Sequence, residues 1–143
     1  MESPSPKRKI RKRFIALALM ALVIMLWLFP IPKMVTLKAR PDVYLVDAET
    51  ITCIWRNGTL RTLVYGYHFT LEQQEGETWQ SIPVPYLFED IGFTLPPMGS
   101  RAMTYRLAGL QPLEPGDYRI GATFYLRRYR TPHTAYAYFT LMP

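Results

Sequence analysis

The residues able to carry chemistry are few and scattered. The chain of 143 residues holds His68 and His133 as its only histidines and Cys53 as its only cysteine. A zinc or other metal centre would need both histidines gathered with a carboxylate, and nothing in their spacing gathers them. His68 alternates out of phase with Tyr67 and Phe69, and His133 follows Pro132 in a loop. Glu89-Asp90 is the nearest thing to a paired carboxylate, but neighbours on an extended chain point apart, which suits a solvated loop. Ser81 and Ser100 lack the flanking glycines of a nucleophile elbow. Cys53 falls on the apolar face of its segment, where a thiol is buried and inert. With no glycine-rich phosphate loop either, no catalytic, metal or cofactor site is expected, and the chain reads as non-enzymatic.

Binding chemistry has more material. Arg127-Arg128-Tyr129-Arg130-Thr131-Pro132-His133 sets three guanidinium groups around one phenol between two extended segments. Such a cluster can grip an anionic wall polymer, lipid headgroups or an acidic protein; its plainer role is a solvated hairpin end whose charges resist edge pairing. Tyr136 and Tyr138 share a face opposite Ala135, Ala137 and Phe139, either as core or as a patch for docking onto a neighbour or a glycan. Arg127, Arg128, Tyr129, Arg130, Tyr136 and Tyr138 are therefore the candidate partner-binding residues.

A net charge of +6 is of the sign that nucleic acid attracts, but its distribution points elsewhere. Lys7, Arg8, Lys9, Arg11, Lys12 and Arg13 against Glu2 place nearly all of it in residues 1–13, and the body is almost neutral. No nucleic-acid partner is expected. The basic arm leads into Phe14–Phe29, 16 residues without a polar side chain. Continued to Ile31 as a helix, this run rises about 27 Å, slightly short of the ~30 Å hydrocarbon slab. Arg13 and Lys33 can snorkel, Trp27 suits an interface, and Pro30 and Pro32 stop the helix.

A buried core helix would not be apolar all round behind a basic block. A cleaved signal peptide would have a shorter apolar stretch and small residues at an A-x-A-like site, where this chain has Phe29-Pro30-Ile31-Pro32-Lys33. The favoured reading is an uncleaved single-pass signal anchor over residues 14–31, with the arm 1–13 cytoplasmic and the remainder extracytoplasmic.

The segments that must position the candidate residues lie beyond a stiff, proline-rich spacer at 32–41. From residue 42 to 143, short runs rich in Val, Ile, Thr, Tyr and Phe are split by Gly and Pro every 8–12 residues, the spacing of an all-β sandwich or barrel. The expected strands are Val43–Val46, Thr50–Trp55, Leu60–Val64, Tyr67–Gln73, Thr78–Ile82, Ile91–Leu95, Arg101–Leu107, Tyr118–Leu126 and Thr134–Leu141. Thr50–Trp55 puts Ile51, Cys53 and Trp55 on one face and runs into Asn57-Gly58, a hairpin-turn signal that also satisfies the glycosylation sequon with Thr59. Leu113-Glu114-Pro115-Gly116-Asp117-Tyr118 reads as a tyrosine corner, in which Pro115 and Gly116 turn the chain, Leu113 packs beneath and the Tyr118 hydroxyl bonds backbone just upstream.

Tyr65-Gly66, Leu71-Glu72, Trp79, Ile82-Pro83, then Ile91-Gly92-Phe93-Thr94-Leu95-Pro96-Pro97, then Leu113 with Pro115-Gly116-Asp117-Tyr118-Arg119-Ile120, together resemble a bacterial immunoglobulin-like domain of the kind found in envelope proteins and lipoproteins of Gram-positive bacteria. The resemblance covers roughly residues 42–141 and rests on turn and core residues, Trp79 among them; Trp55, on the apolar face of its own strand, is likewise expected in a structural role. It implies an immunoglobulin-like antiparallel β-sandwich behind one transmembrane helix, located in the cell membrane. The function it implies is protein–protein interaction, adhesion or scaffolding with another envelope protein or a wall polymer. The alternatives are a module that binds glycan or anionic polymer, or inhibits a protease, through its tyrosine-rich and arginine-rich end. The chain lacks the lipid-attachment cysteine of lipoprotein relatives.

Overall fold

Two compact units divide the chain, Met1–Ile31 and Pro32–Pro143. A computed structural model describes residues 6–28, 34–85, 91–110, 112–127 and 131–143. The first unit is a helix, α1 (Pro6–Leu28), whose described side chains from Arg13 to Ile24 are all exposed. Its apolar part, Phe14–Leu28, rises only about 22 Å. Among the described residues no helix is long and apolar enough to cross a membrane. The end of the expected span, residues 29–31, lies outside the described residues.

The second unit is an all-β sandwich of two sheets. One has the order β1-β3-β7, from β1 (Val35–Ala39), β3 (Thr50–Asn57) and β7 (Ser100–Arg106), all antiparallel. The other has the order β2-β9-β8-β4-β5, from β2 (Val43–Leu45), β9 (His133–Met142), β8 (Gly116–Leu126), β4 (Leu63–Glu75) and β5 (Thr78–Ile82). The short β6 (Phe93–Leu95) pairs with β4 at Leu63–Tyr65. The core lies between the sheets because period-two alternation turns one apolar row of each strand inward. In β8, Tyr118, Ile120, Ala122, Phe124 and Leu126 are all buried, and Ile51, Cys53 and Trp55 of β3 face them with no exposed surface. Met103 and Tyr105 of β7, with Leu107 just past its end, complete the wall.

The tyrosine corner is formed. Tyr118 is fully buried, its hydroxyl donates to the Glu114 carbonyl at 2.7 Å, and its ring stacks on Phe139 with centroids 5.7 Å apart. Burial pushes its ionisation upward, so the hydroxyl stays protonated and available as a donor.

Three local expectations change. Residues 35–39, expected in a spacer, form β1, because Val35, Leu37 and Ala39 alternate inward against β3 while Lys38 stays exposed on the outer side. The segments Leu60–Val64 and Tyr67–Gln73 merge into the single strand β4. Between Tyr65 and Phe69 its register against β8 slips, so three residues of β4 face only Thr123. That irregularity turns Tyr67 out (39% exposed) instead of leaving it in line with buried Phe69 and Leu71.

The third change is at Asn57-Gly58, which makes no hairpin. A two-residue hairpin requires its flanking strands to pair, and here β3 and β4 lie in opposite sheets. Asn57 continues the inward phase of β3 and is fully buried. Its Nδ2 donates to the carbonyls of Arg61 (2.7 Å), Pro96 (3.0 Å) and Leu95 (3.2 Å), and its Oδ1 accepts from the Thr59 amide and hydroxyl. Gly58 allows the approach, since a Cβ there would stand 2.7 Å from the Met34 carbonyl oxygen. The Asn57 amide nitrogen is thus occupied inside the fold, which removes it as a sugar acceptor.

Candidate interaction surface

The outer face of the six-stranded sheet is built by the residues that the core rejects. On β8 this row includes Arg119, Gly121, Thr123 and Tyr125; on β9 it includes Thr134, Tyr136, Tyr138 and Thr140. Register places Arg119 opposite Tyr138 on one side and opposite Glu72 of β4 on the other, while Trp79 of β5 pairs with Gln74. Four strands therefore deliver Trp79, Glu72, Arg119, Tyr136 and Tyr138 to one patch.

Arg119 is its centre. Its Nε donates to Glu72 Oε2 in a half-buried ion pair. Its guanidinium lies 4.5 Å from the Trp79 ring centroid and 4.4 Å from that of Tyr136. The hydrogen bond to Glu72 and, after it, the contact with Tyr138 outweigh desolvation and hold the guanidinium above its ordinary pKa. Trp79 also meets Tyr138 edge-on, with centroids 5.7 Å apart. Stacked guanidinium and aromatic planes of this kind contribute about 0.5–2 kcal/mol each and lock rotamers that would otherwise be lost on binding. The cation is consumed within the patch; what the patch presents is aromatic and apolar.

Tyr136 and Tyr138 are 38% and 56% exposed, while Ala135, Ala137 and Phe139 are buried, so the tyrosines are surface and not core. Val43 and Leu45 pair with Thr140 and Met142 and extend the same face with exposed apolar side chains. Of the expected contact residues, Arg127 is described and exposed in a turn, its amide bonded to the Thr62 carbonyl. Arg128, Tyr129 and Arg130 lie outside the described residues, as do Glu89 and Asp90. Arg119, which sequence reading passed over, and Trp79, expected only as a structural residue, join Tyr136 and Tyr138. An outward Arg on a strand looks like any solvated charge until register shows what flanks it.

Gly121 sits opposite Tyr136, and a Cβ there would meet Thr70 Oγ1 at 2.6 Å and Tyr136 Cε1 at 2.9 Å. Gly121→Ala is therefore expected to lift the Tyr136 ring off Arg119 and to destabilise the module by about 1–3 kcal/mol. Adding Tyr136→Ala removes one of the two clashes, so the pair should couple by at least ~0.5 kcal/mol in thermal melts. Strict additivity would show that the ring does not rest on this glycine.

Among the described residues, groups with catalytic potential do not converge. No three of their His, Cys, Asp and Glu form a metal-binding group. Cys53 is fully buried and its thiol is pushed up to about 12 by desolvation. His68 lies on the irregular stretch of β4, and His133 opens β9 with its ring 5.4 Å from that of Phe124. Ser100 Oγ donates to the Trp55 carbonyl at 3.1 Å, a bond that ties β7 to β3.

A family model described as a bacterial Ig-like domain matches residues 32–140, well over half of the chain and from ahead of β1 to within β9. No curated protein matches the chain.

Proposed function

We propose, because this chain belongs to the bacterial Ig-like domain family, that it is a single-pass membrane protein presenting one interaction module outside the cytoplasm, with the outer face of the six-stranded sheet as its contact surface. Such domains are typically non-enzymatic and suggest interaction or adhesion. The observation that carries the reading is the ordered aromatic patch around Arg119, with Trp79 and Tyr136 stacked on the guanidinium and Tyr138 exposed beside them. Interfaces concentrate affinity in Trp, Tyr and Arg held rigid before contact. The membrane half is supported by the apolar sequence Phe14–Ile31 behind six basic residues, which favours an N-terminus held in the cytoplasm.

Alkaline carbonate washing of membranes should leave the full chain in the pellet, and protease added to wall-stripped cells should digest the module. Release into the soluble fraction would remove the anchor from the proposal. For the surface, a photoreactive phenylalanine analogue at Tyr138 should yield a discrete heavier adduct in intact cells. The same analogue at Thr104, exposed on the outer side of β7, should not. Equal adducts at both positions, or none, would rule out this face.

A further inference from the structure

Strand β9 offers an edge as well as a face. The Thr140 amide donates to the Asp42 carbonyl at 2.8 Å, and the Met142 carbonyl accepts from the Val46 amide at 2.9 Å. Residues 140 and 142 thus direct their peptide groups away from β8 and toward β2. With a period of two, Thr134, Tyr136 and Tyr138 direct theirs the same way. Yet β2 pairs only with Thr140–Met142. One step upstream the chain crosses to the other sheet, where the Arg40 amide is bonded to the Thr52 carbonyl. Among the described residues, no strand hydrogen-bonds the outer edge of β9 from Thr134 to Tyr138, although β1 packs alongside it.

That edge is also unguarded. Exposed edges ordinarily carry Lys, Pro, bulges or extreme shortness against pairing with other chains. The other edges of this sandwich show such devices: Lys38 in β1, Arg101 and Arg106 in β7, Pro83 and Pro85 beyond β5, and only three residues in β2. Strand β9 runs His133–Met142 with no Pro, Gly, Lys, Arg, Asp or Glu, and its register with β8 is unbroken. Alongside lies a groove of about 680 Å³, walled by Val35, Leu37, Lys38 and Arg40 on one side and by Tyr136 and Tyr138 on the other. The described residues place no ion pair on Lys38 or Arg40, and Asp42 is the one carboxylate lining the groove.

We infer that this edge receives an extended, acidic segment of a partner protein, which adds to β9 as a further strand of the six-stranded sheet. Its backbone bonds the peptide groups of Thr134, Tyr136 and Tyr138, and its carboxylates face Lys38 and Arg40 at the rim of the groove. Main-chain bonds of this kind supply affinity and the alternate side chains supply selectivity. A second copy fits less well, because pairing β9 with β9 would bring two sets of Lys38 and Arg40 together. The inference rests on the reading of the chain as an interaction module but uses its edge, not its aromatic face.

Random dodecapeptides displayed on phage and selected on the full chain in lipid nanodiscs provide the test. Selected peptides should carry more Asp and Glu than Lys and Arg. They should slow exchange of the Thr134, Tyr136 and Tyr138 amides at least tenfold. Lys38→Glu with Arg40→Glu should weaken binding at least tenfold. Thr134→Pro, which removes an amide aimed at the groove and none aimed at β8, should weaken it similarly; if that variant misfolds, the charge reversal alone still decides. Trp79→Ala should leave peptide affinity within twofold, whereas a large loss would move binding to the face and overturn the edge. Failure to select any peptide, peptides without acidic bias, or protection elsewhere would also overturn it. So would slowing of the same amides in the free chain as its concentration rises, since a second copy would then fill the edge.

Discussion

Truncation of Trp55 to alanine is expected to cost the module about 3–5 kcal/mol, the range for removing a fully buried large aromatic side chain. Trp55 has no exposed surface and bridges the two sheets, with its ring 4.9 Å from that of Tyr65 and 5.9 Å from that of Phe124. Its indole Nε1 also donates to the Tyr105 hydroxyl at 3.0 Å, inside the core. Alanine therefore leaves both a cavity and a buried oxygen without its donor. Trp55→Phe separates the two effects, because it keeps most of the ring and loses only the N–H. That variant should lose about 1–3 kcal/mol, the cost of one unsatisfied buried polar group. Denaturant unfolding of the full chain in detergent, followed by circular dichroism in the β region, measures both. A loss below about 1 kcal/mol for the alanine variant would mean that the sheets do not close on this residue.

Asn57→Ala should be comparably severe, at about 3 kcal/mol, although it removes only a small polar side chain. The Asn57 amide satisfies three carbonyls and accepts from Thr59, all at the crossing from one sheet to the other. Water cannot replace it at a site with no exposed surface. Asn57→Asp sharpens the test. A carboxylate facing the carbonyl oxygens of Arg61, Leu95 and Pro96 is disfavoured, so its folded pKa lies above the unfolded value near ~3.9. The penalty is absent below that unfolded value and grows as pH rises toward the folded one. The stability deficit of Asn57→Asp relative to the native chain should therefore shrink on acidification. A deficit independent of pH would show that the side chain at 57 is not enclosed by these acceptors.

Asn57 also shows why part of this molecule could not be read in one dimension. An Asn-Gly pair after an alternating strand signals a hairpin, and that signal is purely local. Whether the next strand returns beside β3 or crosses to the opposite sheet depends on partners outside the window, and here β3 takes β1 and β7. The same gap hid β1. Five alternating residues between prolines and basic side chains look like a tether until β3 supplies their partner. In β4 the Gly66-Tyr67-His68 stretch breaks the alternation, which splits one strand into two on paper. The tyrosine corner was legible because turn, strand start and acceptor lie within five residues. The inward row of β8 was legible because ten residues keep one phase.

The contact surface divides in the same way. Tyr136 and Tyr138 could be assigned to one side of a strand from alternation, but not to the surface or the core. Arg119 gave no sign of its role, since its carboxylate lies 47 positions away and its stacking partners come from two other strands. Amino-acid order alone established a β-rich module with a period-two core, a corner at Tyr118, and a basic, then apolar, leading segment, because each of these is a short-range pattern of volume, polarity and backbone freedom. The aromatic patch, the buried amide at the crossing and the edge of β9 that no described strand pairs with were decided by sheet assembly. Each depends on which strands become neighbours, and that is set by closure of the whole core and not by any one stretch of chain.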